Sequence, residues 1–181
     1  MSDVTCTVPA MTDNELKASD YIYSGIKSLG GWGRTIESAH GRGGQRARHV
    51  GVLISDVILA GGEDTMPVAI TGKLDQAGTG HLAVLYADVI VIAHATNLVS
   101  GEASALVTVH SLRELSKVEV RSNHNYYDGT DRRQQHADPR VSVTLERLVL
   151  TFADRGHDRT PLTDATAVSA ALDAIRASLA R

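Results

Sequence analysis

The stretch His81-Leu-Ala-Val-Leu-Tyr-Ala-Asp-Val-Ile-Val-Ile-Ala-His-Ala95 is the densest apolar run in the chain. Its two halves are rich in Val, Ile and Leu, and Ala87-Asp88 separate them. Short apolar runs of this composition on either side of a turn are typical of two paired strands. The run also falls short of the ~20 residues that a membrane-spanning helix needs. We therefore predict a central β-hairpin and no membrane span.

Five further strands are predicted around this hairpin, because the apolar residues keep a period of two. They cover residues 67–74, 106–110, 115–121, 140–146 and 148–152. The strands follow one another at hairpin spacing, whereas parallel pairing needs crossovers of a dozen or more residues. Seven antiparallel strands usually curl into a barrel or a sandwich, and we expect one of these two arrangements.

Helical periodicity is confined to the two ends of the chain. Thr12-Asp-Asn-Glu15 matches a capping box, and Gly30-Gly31 is a typical helix stop. Residues 50–60 fit a strand or a helix, and the helix is preferred because Gly61-Gly62 follow as a C-terminal stop. We predict helices over 12–29, 50–60 and 162–180. The last helix caps the open end of the barrel and carries one apolar stripe, formed by Ala165, Val168, Leu172, Ile175 and Leu179.

The period changes from four to two after Glu63-Asp64, which predicts a boundary there. Residues 1–61 are interpreted as an N-terminal helical extension with a Gly/Arg-rich linker, and residues 62–181 as the strand domain. The predicted fold class is α+β: a seven-stranded antiparallel barrel or sandwich, capped by a C-terminal helix and preceded by a helical segment.

Composition narrows the function classes. The formal net charge of −3 over 181 residues argues against bulk affinity for nucleic acid, which usually comes with a strongly basic domain. The single cysteine, Cys6, cannot form an internal disulfide or a cysteine-based metal site. The N-terminus lacks a basic region followed by an apolar one, so no signal peptide is predicted. A cytoplasmic protein is expected.

Motifs that carry chemistry are missing from the sequence. The histidines show neither His-x-His nor His-x-x-x-His spacing, so no local metal site is predicted. There is no Gly-x-Ser-x-Gly elbow and no phosphate loop. His94 and His110 lie on predicted strands and are interpreted as structural residues. We expect no enzyme activity and no cofactor.

Three segments resemble a bacterial pleckstrin-homology-like domain over residues 62–181: the hairpin 81–93, the strand pair 107–121, and residues 148–154 with the terminal helix. The resemblance implies a non-enzymatic interaction module that binds a protein partner or itself, with a homo-oligomer as one form. Lipid-binding members of that fold cluster Lys and Arg on the first two strands, but Lys73 to His81 offers one lysine, one histidine and one aspartate. Phosphoinositide binding is therefore not expected.

Two candidate contact surfaces lie outside the apolar pattern. The first is the polar segment 122–139, since loops beyond ~12–15 residues are usually functional or disordered. Its Tyr126, Tyr127, Arg132 and Arg133 are residue types favoured at binding hot spots, although a disordered loop explains the segment equally well. The second is an open barrel seam, whose unpaired backbone groups favour strand pairing with another chain.

The most basic window spans residues 32–49, where glycines at 41, 43 and 44 oppose a stable helix and predict a mobile loop over 41–44. Arg42, Arg46 and Arg48 give an alternative function, binding of nucleic acid or another polyanion, because guanidinium groups pair with phosphate. A solvated linker between two helices is the preferred interpretation.

The alternative predicts a gel shift of a nucleic-acid probe that weakens with salt, because phosphate contacts release counterions. Replacing Arg42, Arg46 and Arg48 together with alanine is then expected to abolish the shift. Absence of binding by the unaltered chain at low salt would exclude this alternative.

Overall fold

The computed structural model describes residues 17–42, 45–98, 103–121, 140–153 and 166–181. Within these ranges the chain is α+β, as predicted, with helices at both ends and antiparallel strands between them. The elements are α1 (Ala18–Ser28), α2 (Gly30–Arg42), α3 (Gln45–Gly61), β1 (Ala69–Leu74), β2 (Gly80–Leu85), β3 (Val89–Thr96), β4 (Ser104–Ser111), a 3₁₀ turn (Leu112–Glu114), β5 (Lys117–Arg121), β6 (Arg140–Leu145), β7 (Leu148–Ala153) and α4 (Thr166–Leu179).

The strands form two antiparallel sheets. Sheet A has the order β1-β2-β3-β4, and sheet B has the order β5-β6-β7. Of the two predicted arrangements the chain adopts the sandwich, because the sheets pack face to face and do not close into a barrel. The predicted turn at Ala87-Asp88 joins β2 to β3 at the centre of sheet A.

The two central strands of sheet A, β2 and β3, are buried on both faces, which explains the sequence of the central hairpin. Leu82 and Val84 contribute to a core shared with the helices, whereas Ala83 and Leu85 contribute to a core shared with sheet B. A strand covered on both sides needs apolar residues at every position, so it loses the alternation seen in half-exposed strands. Each large aliphatic side chain buried this way contributes about 1.5–3 kcal/mol.

The first core joins α1, α2 and α3 to sheet A. Trp32 of α2 is fully buried and donates its indole Nε1–H to the backbone carbonyl of His81 at 3.0 Å. Gly72 of β1 lies beneath this indole, where a side chain would crowd it. The helices at 18–28, 30–42 and 45–61 thus form a layer that packs on the strands, while a division into two domains at residue 62 stays a prediction.

The second core joins sheet A, sheet B and α4. Val168, Ala171 and Ile175 of α4 are buried in it. Leu179, predicted to belong to the same apolar stripe, is 54% exposed, and Ser178 is buried instead. The helix therefore faces the sandwich with a stripe rotated from the predicted one at its C-terminal end.

The glycine-rich segment after α1 differs from the prediction. The helix α1 ends at Ser28, as the stop signal indicates, but α2 begins at once and runs through Gly41 and Arg42, so the predicted loop is wrong for those two residues. Residues 43–44 and the predicted cap Thr12–Glu15 lie outside the described residues, and α1 begins at Ala18. Burial of Trp32 and Ile36 in the first core outweighs the low helix propensity of the glycines.

Gly31 permits the close approach of α2 to β1, because a methyl group on its Cα would overlap the carbonyl oxygen of Leu74. We expect Gly31→Ala to lower the free energy of unfolding by about 1–3 kcal/mol, as overpacking does. Gly30→Ala is the matched control, since nothing lies within 4 Å of the added methyl group. Urea unfolding of both variants checks this, and equal effects would contradict the close-approach role.

Candidate functional site

The outer edge of β4 is the strongest candidate site in the described residues. Sheet A ends at β4, and no strand in the ranges given above pairs with its outer side. An unpaired strand edge offers a row of N–H and C=O groups to another chain. The direction of each of those groups follows from the hydrogen bonds at the base of the strand.

The pairing of β4 with β3 fixes which backbone groups point outwards. Just beyond the paired residues, the amide of Leu112 donates to the carbonyl of Asp88 at 3.1 Å. Hydrogen-bonded pairs recur at every second residue of an antiparallel ladder, so Leu106, Thr108 and His110 bond to β3. The groups that face the open edge are those of Ala105, Val107, Val109 and Ser111.

The side chains along this edge carry few features that discourage pairing. The strand Ser104–Ser111 is eight residues long and contains no Lys, Arg, Asp, Glu or Pro. Leu106 is 64% exposed on the face towards sheet B, and Val109 is 50% exposed on the face towards the helices. Long, uncharged edge strands with exposed apolar side chains are those most prone to accept another strand.

The other open edge of the sandwich is protected by charge. The strand β5 alternates Lys117, Glu119 and Arg121 with valines, and Lys117 Nζ lies 2.8 Å from Glu119 Oε1. The hydrogen bond from Lys117, together with its charge and that of Arg121, lowers the pKa of Glu119 below its usual range. Charged side chains on an edge strand disfavour pairing with a second chain.

The remaining edges, those of β1 and β7, lie against each other at one corner of the sandwich. The hydroxyl of Thr71 on β1 donates to the backbone carbonyl of Thr151 on β7 at 2.6 Å. An incoming strand would have to displace this contact between the sheets. The edge of β4 is therefore the one that combines exposure with a lack of protection.

A small polar network fixes the end of β4. The hydroxyl of Thr108 donates to the carbonyl of Ile92 at 3.4 Å, and His110 Nε2 lies 3.0 Å from the same hydroxyl oxygen. His110 Nδ1 lies 3.3 Å from Glu114 Oε2 in the 3₁₀ turn. The strand is thus tied to β3 on one side and to the following turn on the other, which keeps its outward groups in line.

A cleft of about 330 Å³ opens beside β4, between sheet A and the turn that joins β6 to β7. Its lining residues are Ile92, His94, His110, Leu145, Glu146, Arg147 and Leu148. Both ring nitrogens of His110 already face partners, Thr108 and Glu114. Across the described residues, no group of three or more His, Cys, Asp or Glu side chains could hold a metal ion.

Two other features were considered as sites. A larger cavity of about 810 Å³ lies between the start of α1 and the end of α3, lined by Lys17, Ala18, Ser19, Ile58, Glu63, Asp64 and Met66. The buried hydroxyl of Tyr86 has no hydrogen-bond partner among the residues described, and burial raises the pKa of this phenol. Gly61 packs directly against the Tyr86 ring, which leaves no room for a ligand there.

The residues predicted to bind partners are only partly placed. Tyr126, Tyr127, Arg132 and Arg133 lie outside the described residues, so the loop hypothesis stays a prediction. Arg42 lies in the last turn of α2, and α3 begins just before Arg46. Arg48 is exposed on α3, while the side chains of Arg42 and Arg46 are outside the described part. The polyanion hypothesis therefore also stays a prediction.

Sequence reasoning identified an open seam but missed which strand forms it. The signal was present, because β4 lacks charged residues whereas β5 alternates them. Nothing in that contrast says which strands end a sheet, however.

Within the described chain, no helix is long and apolar enough to span a membrane.

Comparisons with protein-family models, curated proteins and solved structures found no match to this chain.

The surroundings of His81 predict a stability that depends on pH. Burial lowers its pKa below the ordinary 6.5, and the positive charges of His94 and Lys73 lower it further. Because the unfolded chain binds the proton of His81 more readily than the folded chain does, protonation of His81 favours unfolding. The contribution of neutral His81 to stability is therefore complete above pH ~6.5 and is lost as the pH falls below that value. We expect His81→Gln to flatten the loss of stability between neutral and mildly acidic pH.

Urea unfolding at a series of pH values measures this slope. Lys73→Gln provides a second test that keeps His81. Removing the lysine charge should bring the pKa of His81 closer to its usual value, so the stability should fall less steeply as the pH is lowered. An unchanged slope in His81→Gln would show that other groups cause the acid sensitivity.

Proposed function

We propose that this chain is a non-enzymatic, pleckstrin-homology-like interaction module that binds an extended protein segment as an added strand along β4. One observation carries the proposal: β4 is an uncharged strand of eight residues, and no strand of the described chain pairs with its outer side. Strand addition of this kind is a recurrent mode of peptide recognition. A cytoplasmic location is part of the proposal, supported by the lone cysteine.

The pleckstrin-homology-like assignment is supported by the order and packing of the elements. Seven antiparallel strands form two packed sheets, and α4 follows them in sequence and packs on the second core. The three N-terminal helices cover the opposite face of sheet A. With β2 and β3 covered on both faces, the outer edge of β4 is the part of sheet A that the described residues leave open to another chain.

The energetics of strand addition favour β4 over β5. A segment pairing with β4 satisfies the outward groups of Ala105, Val107 and Val109, and each backbone hydrogen bond contributes about 0.5–1.5 kcal/mol net. It also covers Leu106 and Val109, which are half or more exposed. Pairing with β5 would bury or displace the Lys117–Glu119 ion pair, and desolvating charges opposes that contact.

The partner segment is expected to be extended and to carry apolar residues at alternate positions. Side chains on one face of the added strand would lie next to Leu106, and those on the other face next to Val109. The side chains directly opposite one another across antiparallel strands interact most strongly. A segment with Val, Ile, Leu or Thr at those positions therefore fits the edge.

Selection of random peptides displayed on phage tests this proposal with a defined probe. The dissociation constant of a selected peptide is expected to rise at least about tenfold for Leu106→Lys and for Val109→Lys, which is a loss of about 1.4 kcal/mol of binding free energy. A lysine at an edge position opposes strand pairing. Isothermal titration calorimetry of one selected synthetic peptide against each variant gives the affinities.

The matched control is Val120→Lys on β5, because Val120 is 55% exposed and also lies on an edge strand. Its affinity is expected to stay within about twofold of the unaltered chain, far below the 1.4 kcal/mol of a tenfold change. Equal losses in all three variants, or peptides that bind all three variants normally, would contradict strand addition at β4.

A further inference from the structure

We propose that the strand added to β4 is β4 of a second copy of this chain, running antiparallel about a two-fold axis. The two four-stranded sheets then become one continuous sheet across the dimer. This inference rests on the proposed strand addition at β4 and names its partner. It follows from the sequence of β4, because this strand has the side chains that a strand pairing with its edge must have.

The strand is chemically complementary to itself. A partner strand must bring no charge to the edge and must carry apolar side chains on both faces of the sheet. The strand Ser104–Ser111 meets both requirements, since it lacks Lys, Arg, Asp and Glu and exposes Leu106 on one face and Val109 on the other. A pair of β5 strands would meet neither, because Lys117, Glu119 and Arg121 would line the contact.

Symmetry and overlap together leave two choices of register. A two-fold axis normal to the sheet keeps each face in place, so residues opposite one another must share a face. The axis therefore passes through a residue, and Val107 and Thr108 are the two residues that pair most of the strand Ser104–Ser111 with its copy. With the axis at Thr108, the outward groups of Ala105 bond to Ser111 of the other copy, and those of Val107 bond to Val109. With the axis at Val107, Ser111 lies opposite Ala103, which precedes the strand, so the Thr108 register pairs more of β4 and is preferred.

The side chains also fit the Thr108 register. Val107 of one copy lies opposite Val109 of the other, a pairing of β-branched residues that stabilises sheets. On the opposite face, Leu106 of each copy lies opposite His110 of the other, at the rim of the cleft that Leu145 and Leu148 line. The exposed Leu106 thereby gains an apolar neighbourhood. The contacts of His110 with Thr108 and Glu114 hold that rim in place.

Sedimentation velocity over a concentration series measures the assembly. The unaltered chain is expected to pass from monomer to dimer as its concentration rises. Val109→Lys is expected to stay monomeric, because symmetry places two lysines at the contact, while Val120→Lys should assemble like the unaltered chain. A dimer that forms equally well in Val109→Lys would overturn this inference.

A cysteine trap tests the register. In a Cys6→Ser background, Thr108→Cys places two thiols at the axis, where non-hydrogen-bonded residues have Cα atoms about 4.5 Å apart, within reach of a disulfide. Oxidation is expected to link Thr108→Cys faster than Val107→Cys, and Val120→Cys to stay largely unlinked. Faster linkage at Val107, or equal linkage at all three positions, would overturn the Thr108 register.

Residue-resolved amide exchange separates failure of the dimer from failure of strand addition. In the dimer, the amides of Ala105, Val107 and Val109 should become protected as concentration rises. A monomer at every concentration with fast exchange at these amides would overturn the dimer and leave the edge open to another partner. A monomer in which they are already protected would overturn both, because the edge would then be covered within one chain.

Discussion

The pairing of β2 with β3, buried on both faces, is the interaction on which the rest of the structure depends. The residues of this hairpin alternate between two cores, with Val84 and Val91 in one and Leu85 and Ile90 in the other. The N-terminal helices contribute side chains to the first core, and sheet B with α4 contributes side chains to the second. Loss of this hairpin would leave neither layer with a surface to cover.

The position of the hairpin also decides where function can lie. Because β2 and β3 are central, β1 and β4 become the edges of sheet A. The β1 edge lies at the corner with β7, where Thr71 contacts Thr151, and the faces of the sheet are covered by other layers. What remains is the backbone edge of β4, with Leu106 and Val109 exposed beside it. The same burial that stabilises the chain thus directs recognition to one strand.

Local sequence patterns predicted the hairpin and the other five strands closely, because each has a period or a turn signal of its own. For α3 the pattern predicted residues 50–60, whereas the helix already begins at Gln45, inside the window interpreted as a linker. The helix α2 was missed, since Gly30, Gly31 and Gly33 disfavour a helix locally and only packing of Trp32 against β1 and β2 supports it. The unbroken apolar residues of the β2–β3 hairpin are typical of strands that are buried on both faces. The site on β4 depends on strand order, which single-sequence patterns do not contain.

Native-state amide exchange under increasing denaturant tests the central role of the β2–β3 hairpin most directly. If the hairpin joins the two cores, the amides of Val84 and Val91, those of Ile26 and Leu53 in the helices, and that of Val143 in sheet B should converge on one global opening free energy. Separate, lower opening free energies for the helices or for sheet B, with the hairpin intact, would contradict this account.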